Sequence, residues 1–163
     1  MNTLNENVKD YTSQLKKGHI QKAYKGIMTF MSEFKIYLES RHPDYITSAL
    51  YFGYLDMSYF AFTPSDLKDK KLKIATVYLH EECKFEVWLV ANNRKIQKEY
   101  VGILSNKDLG GFTLSQIQPG VDSIIASTIM DQPNFENFNE MKKQLETKII
   151  GFVKAITPII MSN

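Results

Sequence analysis

Four side chains in the middle of the chain have the types and spacing of a small ligand site. Glu86 stands in an apolar stretch two residues before Trp88, and alternate residues of a strand share a face. A carboxylate among apolar side chains needs a partner or a shifted pKa, and Arg94 or a lysine could be that partner. We expect an aromatic-lined ligand site formed by Tyr54, Glu86, Trp88 and Arg94. The alternative is a structural ion pair, because such pairs also perturb charged groups.

Acidic residues nearby suggest a second chemistry. Asp56, followed by Glu82-x-Lys84, has the spacing of metal-dependent nucleases, in which carboxylates hold Mg²⁺ and a lysine steadies the attacking water. The alternative function is therefore a divalent-metal-dependent phosphodiesterase using Asp56 with Glu82 or Glu86. Glu-x-Lys is a common combination, and here it falls at a predicted hairpin tip. The sequence does not decide whether the protein is an enzyme or a non-enzymatic binding protein.

The remaining chemical motifs are weak. His80-Glu81-Glu82-Cys83 groups potential metal ligands, but a metal site needs three or four convergent ligands, and side chains at a hairpin tip alternate sides. The single cysteine excludes an internal disulfide and a cysteine-cluster zinc site. The sequence also lacks a glycine-rich phosphate loop and the common hydrolase and EF-hand motifs. We therefore predict no bound metal and no cofactor.

Composition places the chain among ordinary folded domains. Its 163 residues fit one domain, spanning 1–163, and its net charge of +2 does not favour a nucleic-acid partner. The start of the sequence is polar, and no apolar run approaches the roughly 20 residues of a membrane helix. We therefore expect neither a secretory signal nor a membrane helix. One free thiol fits a reducing compartment, so we expect a cytoplasmic protein.

A predicted β-hairpin, formed by Leu72–His80 and Phe85–Ala91, positions the candidate site. If residues 81–84 form its tip, one face carries the pairs Tyr78–Val87, Thr76–Leu89 and Ile74–Ala91. The other face carries the pairs Leu79–Glu86, Val77–Trp88 and Ala75–Val90. Both faces are largely apolar, so each must be covered or must form a pocket or an interface. This pattern predicts a small-molecule ligand or protein partner, and a homodimer would also suit it.

Helices are predicted before the hairpin. A capping pattern at Thr3 and a stop at Gly18 bound the first helix, and the second covers Ile20 to Glu39. The short link between them predicts an αα-hairpin laid over the sheet. The aromatic run that follows favours strands near Thr47–Tyr54 and Met57–Thr63.

After the hairpin, a helix capped by the Asn92-Asn93 pair is predicted for Arg94–Leu104, then a short edge strand at Phe112–Ile117. The isoleucines of Val121–Met130 fit either a helix or a strand, and we favour a helix. A long helix follows Asn137, and Pro158 should end or kink it. The predicted fold class is α+β. A mainly antiparallel sheet of four or five strands packs with an N-terminal helix pair and a long C-terminal helix.

Several segments resemble a known family. They are QLKKGHIQKAYKGIM, YFGYLDMSYFAFTP, KLKIATVYLHEECKFEVWLVANNRKIQKEY and GVDSII. The chain resembles a family of small bacterial proteins described only as a domain of unknown function. The resemblance covers most of the chain and implies a bacterial cytosolic origin and a single compact domain. It assigns no catalytic or binding residues.

Overall fold

The computed structural model describes residues 1–162, and within them five strands form one antiparallel sheet. The helices are α1 (Leu4–Lys17), α2 (His19–Arg41), α3 (Ser65–Lys68), α4 (Arg94–Leu104) and α5 (Phe138–Met161). The strands are β1 (Ile46–Thr47), β2 (Met57–Thr63), β3 (Leu72–Leu79), β4 (Lys84–Ala91) and β5 (Ser123–Asp131). The spatial order of the strands is their order in the chain, and each neighbouring pair is antiparallel. The predicted α+β fold class is confirmed.

The hydrophobic core lies on one face of the sheet, under α2 and α5. We call this the helix-covered face. Its fully buried apolar strand residues include Phe60, Phe62, Ile74, Phe85, Val87 and Leu89. Phe30 of α2 packs edge-on against Phe138 at the start of α5, with ring centroids 5.1 Å apart. Burying each large apolar side chain contributes roughly 1.5–3 kcal/mol, so this layer supplies most of the stability.

The other side of the sheet, which we call the open face, has its own smaller apolar cluster. Ala61, Ala75 and Val77 are buried there, and larger side chains pack around them. Val77 lies between Tyr59 and Glu86 on the neighbouring strands. Neighbouring side chains on the sheet therefore shield this cluster.

The central hairpin is confirmed, although the predicted pairing is wrong. Ala75 pairs with Trp88 and Val77 with Glu86. The tip runs from His80 to Cys83, so the chain reverses one residue earlier than predicted, and every partner shifts by two. A two-residue shift keeps each side chain on the same face. The predicted division of the hairpin into two apolar faces therefore holds.

The predicted helix at Val121–Met130 is wrong, because this segment forms β5. The strand pairs along β4, and Ile124 and Ile125 are buried in the core. The predicted edge strand at Phe112–Ile117 shrinks to a single bridge between Leu114 and Ile125. Phe112 is instead held in a turn with Leu109 and packs edge-on against Phe152.

The predicted strand at Thr47–Tyr54 is also largely wrong, since only β1 and a bridge between Tyr51 and Tyr59 form. The hydroxyl oxygen of Ser48 accepts the backbone N–H of Ala61 at 2.8 Å. A side-chain oxygen thus accepts the N–H that a backbone carbonyl would accept in a regular sheet, and β1 ends at Thr47.

The two terminal helices begin as predicted. In α1, Thr3 and Glu6 form a reciprocal capping box, and Gly18 ends the helix with a left-handed φ of 80°. Both predicted N-terminal helices form, but no residue of α1 is buried. Within this pair only α2 packs on the sheet, so the prediction that both helices lie over it is wrong. Asn137 caps α5, which continues through Pro158 to Met161. None of the described helices is both long and apolar enough to cross a membrane.

The turn before β2 depends on a glycine. Gly53 has a φ of 82°, and a Cβ atom there would lie 1.9 Å from the carbonyl oxygen of Met57. Only a residue without a Cβ fits this close approach. Gly120 provides a comparison, because its φ of 85° is similar and a Cβ would meet no atom within 4 Å.

We predict that Gly53→Ala destabilises the protein more than Gly120→Ala. Left-handed backbone costs a non-glycine residue about 1–2 kcal/mol, and only Gly53→Ala adds a clash with backbone. In urea unfolding we expect Gly53→Ala to lower the free energy of unfolding by roughly 2–4 kcal/mol, and Gly120→Ala by about 1 kcal/mol. Equal losses would contradict the close approach at Gly53.

Candidate functional site

A cleft of about 510 Å³ lies on the open face. Its floor is a row of small side chains beside a large one, since Ala61 pairs with Ala75, and Ala75 pairs with Trp88. Two methyl groups next to an indole leave a depression in the sheet surface. The full lining is Ser48, Ala49, Tyr51, Met57, Tyr59, Ala61, Lys73, Ala75, Trp88, Val90, Ala91, Asn92, Asn93, Arg94, Gln97 and Asp122.

One wall of the cleft is the segment before β2. Tyr51 exchanges two backbone hydrogen bonds with Tyr59, of 2.8 and 3.0 Å, and the two rings lie 5.0 Å apart. The N–H of Ser48 donates to the carbonyl of Ala61 at 2.7 Å. These bonds hold the wall against β2 and place two tyrosine rings at the edge of the alanine floor.

The opposite wall is the start of α4, and Arg94 fastens it to the loop before β5. Nη1 of Arg94 donates to Oε1 of Gln97 at 2.9 Å and to the carbonyl of Val121. Nη2 pairs with the Asp122 carboxylate at 2.8 Å. Arg94 therefore lines the cleft, but both terminal nitrogens of its guanidinium are already engaged.

Glu86 lies beside the cleft and orients Trp88. Oε1 of Glu86 accepts a hydrogen bond from the indole Nε1 at 2.8 Å. Oε2 pairs with Nζ of Lys84 at 3.3 Å and accepts from the Thr128 hydroxyl at the same distance. The partner of this carboxylate is thus a lysine on its own strand. Because the indole N–H is satisfied, Trp88 presents an apolar surface to the cleft.

The structure separates the four predicted site residues. Trp88 and Arg94 line the cleft, Glu86 supports Trp88 from the side, and Tyr54 lies in the turn outside the lining with 87% of its surface exposed. The sequence analysis missed Lys73 and the two floor alanines. The sequence did contain a signal for the floor, because Ala61 and Ala75 are small residues in strands of otherwise large apolar side chains. Small side chains leave a depression in the surface of a sheet.

The acidic residues of the enzyme alternative serve local structure. Backbone N–H groups of Tyr54 and Met57 donate to Asp56 and lower the pKa of its carboxyl. Glu82 and Glu86 both pair with Lys84, at 3.0 and 3.3 Å. Across residues 1–162, no group of three or more His, Cys, Asp or Glu side chains could hold a metal ion. In the structure, Asp56 is thus bonded to its own turn, and Glu82 and Glu86 are bonded to Lys84.

Comparison with known protein families decides where the chain belongs. A family model described as Domain of unknown function (DUF7000) matches residues 4–160. The chain belongs to this family. The match runs from α1 into the last turn of α5, so it includes every residue of the cleft. No curated protein and no solved structure matches this chain.

A second polar cluster joins the end of α2 to α5. Glu146 is only 9% exposed, and its Oε2 accepts from Nε of Arg41 at 2.5 Å and lies 3.1 Å from Nε2 of His42. The hydroxyl of Tyr37 lies 3.4 Å from Oε1. Burial raises the pKa of Glu146, but the hydrogen bonds from Arg41 and His42 outweigh it and the pKa is lowered. The cluster lies away from the cleft and stabilises helix packing.

We predict that Glu146→Gln lowers the free energy of unfolding at pH 7 by about 1–2 kcal/mol, since charge-assisted hydrogen bonds are lost while the half-exposed Arg41 stays partly screened. The folded pKa is below its ordinary value of 4.5, so the stabilisation is present above that pH and disappears as the pH falls below it. Urea unfolding from pH 7 to pH 3 should therefore show the two proteins converging in acid.

Glu33→Gln is the matched control, because Glu33 pairs with Lys142 at 3.2 Å but its side chain is 46% exposed. We expect it to change stability by less than about 0.5 kcal/mol at any pH. A difference between wild type and Glu146→Gln that does not vary with pH would contradict the role given to this carboxylate.

Proposed function

We propose that the protein is a non-enzymatic binding protein whose cleft takes a small apolar or aromatic molecule. The observation that carries the proposal is the floor formed by Ala61 and Ala75. Trp88 lies beside Ala75 on the neighbouring strand, and Tyr59 lies two residues before Ala61 on β2. Small-molecule sites typically enclose roughly 300–1,000 Å³ and combine apolar walls with a few polar groups. The volume and lining of this cleft match that description.

The state of the polar groups around the cleft favours binding over catalysis. The indole N–H is held by Glu86, and the Arg94 guanidinium is held by Gln97 and Asp122. These bonds fix the walls in position. Rigid, preformed walls lower the entropy cost of binding a ligand.

A contact that resembles part of a catalytic site lies outside the cleft. Oγ of Ser58 and Nε2 of His80 are 2.8 Å apart, but Ser58 is fully buried, and its hydroxyl also donates to the carbonyl of Phe52. Burial lowers the pKa of His80, which the nearby Asp56 carboxylate opposes. We interpret the pair as an anchor for the turn before β2, because no substrate could reach a serine enclosed in this way.

Other sequence-based predictions remain part of the proposal. A protein partner or a second copy of the chain could use the same apolar face, so a homodimer stays a prediction. A bacterial origin follows only from the resemblance. A cytoplasmic location is supported by the single free thiol of Cys83.

We predict that Ala75→Leu blocks binding, because the larger side chain fills the floor of the cleft. The neutral fluorophore N-phenyl-1-naphthylamine is a suitable probe, and energy transfer from Trp88, the only tryptophan, reports binding near the floor. We expect the affinity to fall at least about 10-fold, which corresponds to roughly 1.4 kcal/mol. Unfolding curves of the variant check that its fold is retained.

Ala126→Leu is the matched control for this experiment. Ala126 pairs with Trp88 from the β5 side, on the same face, but it is exposed and does not line the cleft. The same enlargement there should leave the probe affinity within about two-fold, a change of less than 0.5 kcal/mol on the same scale. No binding to wild type, or equal binding to both variants, would contradict the proposed function.

A further inference from the structure

The cleft contains a cation that has no carboxylate partner. Lys73 of β3 lines the cleft and is half-buried. Among residues 1–162, no carboxylate lies within 4.0 Å of its ammonium group, whereas the other two charged lining residues, Arg94 and Asp122, pair with each other. With Lys73 and Arg94 positive and Asp122 negative, the lining carries a formal charge of +1.

The position of Lys73 relates this charge to the apolar floor. It lies two residues before Ala75 on the same strand and on the same face, so the two Cα atoms are about 7 Å apart. Its cross-strand partner is Val90, which also lines the cleft. A planar body lying over the alanines therefore reaches Lys73 with a substituent at one end.

Amide groups lie at the same end of the cleft. Asn93 uses its Oδ1 to cap α4, accepting the N–H of Ile96 at 3.0 Å, and this leaves its amide N–H groups as donors. Asn92 precedes it in the lining. A lysine ammonium beside amide donors suits an acidic group, because charge-assisted hydrogen bonds are stronger than neutral ones.

We propose that the ligand of this cleft is an organic monoanion, with an aromatic or aliphatic body over Ala61 and Ala75 and an acidic group at Lys73. This inference rests on the proposed function and adds the chemical class of the ligand. A single uncompensated cation suits one negative charge. It does not suit a polyphosphate or a nucleic acid, which need several basic residues.

Two probes with the same ring system separate the acidic group from the apolar body. 1-Anilinonaphthalene-8-sulfonate carries a sulfonate, and N-phenyl-1-naphthylamine lacks it. We expect wild type to bind the sulfonate at least about 10-fold more tightly, and added salt to weaken the binding of the sulfonate alone. Loss of the sulfonate signal in Ala75→Leu assigns the binding to the cleft.

Lys73→Met removes the charge and keeps an apolar stem. We expect it to bring the affinity for the sulfonate close to that for the neutral probe, and to leave the neutral probe within about two-fold. Lys95→Met is the control, because Lys95 follows Arg94 on α4 but is exposed and lies outside the lining. It should leave both affinities unchanged.

The outcomes distinguish this inference from the proposed function. If both probes bind equally well, or if Lys73→Met leaves their ratio unchanged, the anionic ligand is contradicted while binding in the cleft stands. If neither probe binds wild type, the proposed function fails, and the anionic ligand fails with it.

Discussion

Both faces of the sheet carry apolar side chains, but the two long helices that supply the core, α2 and α5, pack on only one face. On the helix-covered face, phenylalanines from strands and helices interlock. On the open face, burial depends on neighbouring side chains, so Val77 is shielded by Tyr59 and Glu86. Wherever those neighbours are small, the surface of the sheet stays recessed. The cleft is a direct consequence of this uneven cover.

Local hydrogen bonds turn this recess into a bounded site. Ser48 and Tyr51 tie the segment before β2 to the strand edge, and Gly53 allows the turn that leads back into it. On the opposite side, Arg94 ties the start of α4 to the loop before β5. Backbone and side-chain hydrogen bonds thus position each wall, which explains how a sheet face holds a defined volume.

Much of the fold was predictable from sequence, because it depends on local periodicity. Successive side chains of a strand point to opposite faces of the sheet. The two faces of the β3–β4 hairpin were therefore assigned correctly, even though the chain reverses one residue earlier than predicted. The chain reverses through Cys83, whose φ is +52°. A positive φ is uncommon for a residue other than glycine, so the sequence did not indicate a turn at this position. For β5, the spacing of the isoleucines fits both a helix and a strand, and the segment forms a strand because it pairs with β4.

The site was less predictable, since it depends on contacts between distant segments. Trp88 was recognised because its type and strand position are local properties. Tyr54 was predicted to line the site, but Tyr51 lines the cleft instead. Tyr54 lies exposed in the turn, between two residues with left-handed backbone, Gly53 and Leu55. Lys73 was assigned to the predicted strand Leu72–His80, but nothing local indicates that the sheet face on which it lies is recessed.

The most direct test of an open, recessed sheet face is to record the methyl resonances of the alanines by NMR while N-phenyl-1-naphthylamine is added. If the probe lies on the floor, its rings shift the methyl signals of Ala61 and Ala75, and the signal of Ala126 stays in place. A titration in which Ala126 moves and the two floor alanines do not, or in which none of the three moves, would contradict the presence of a binding cleft on this face.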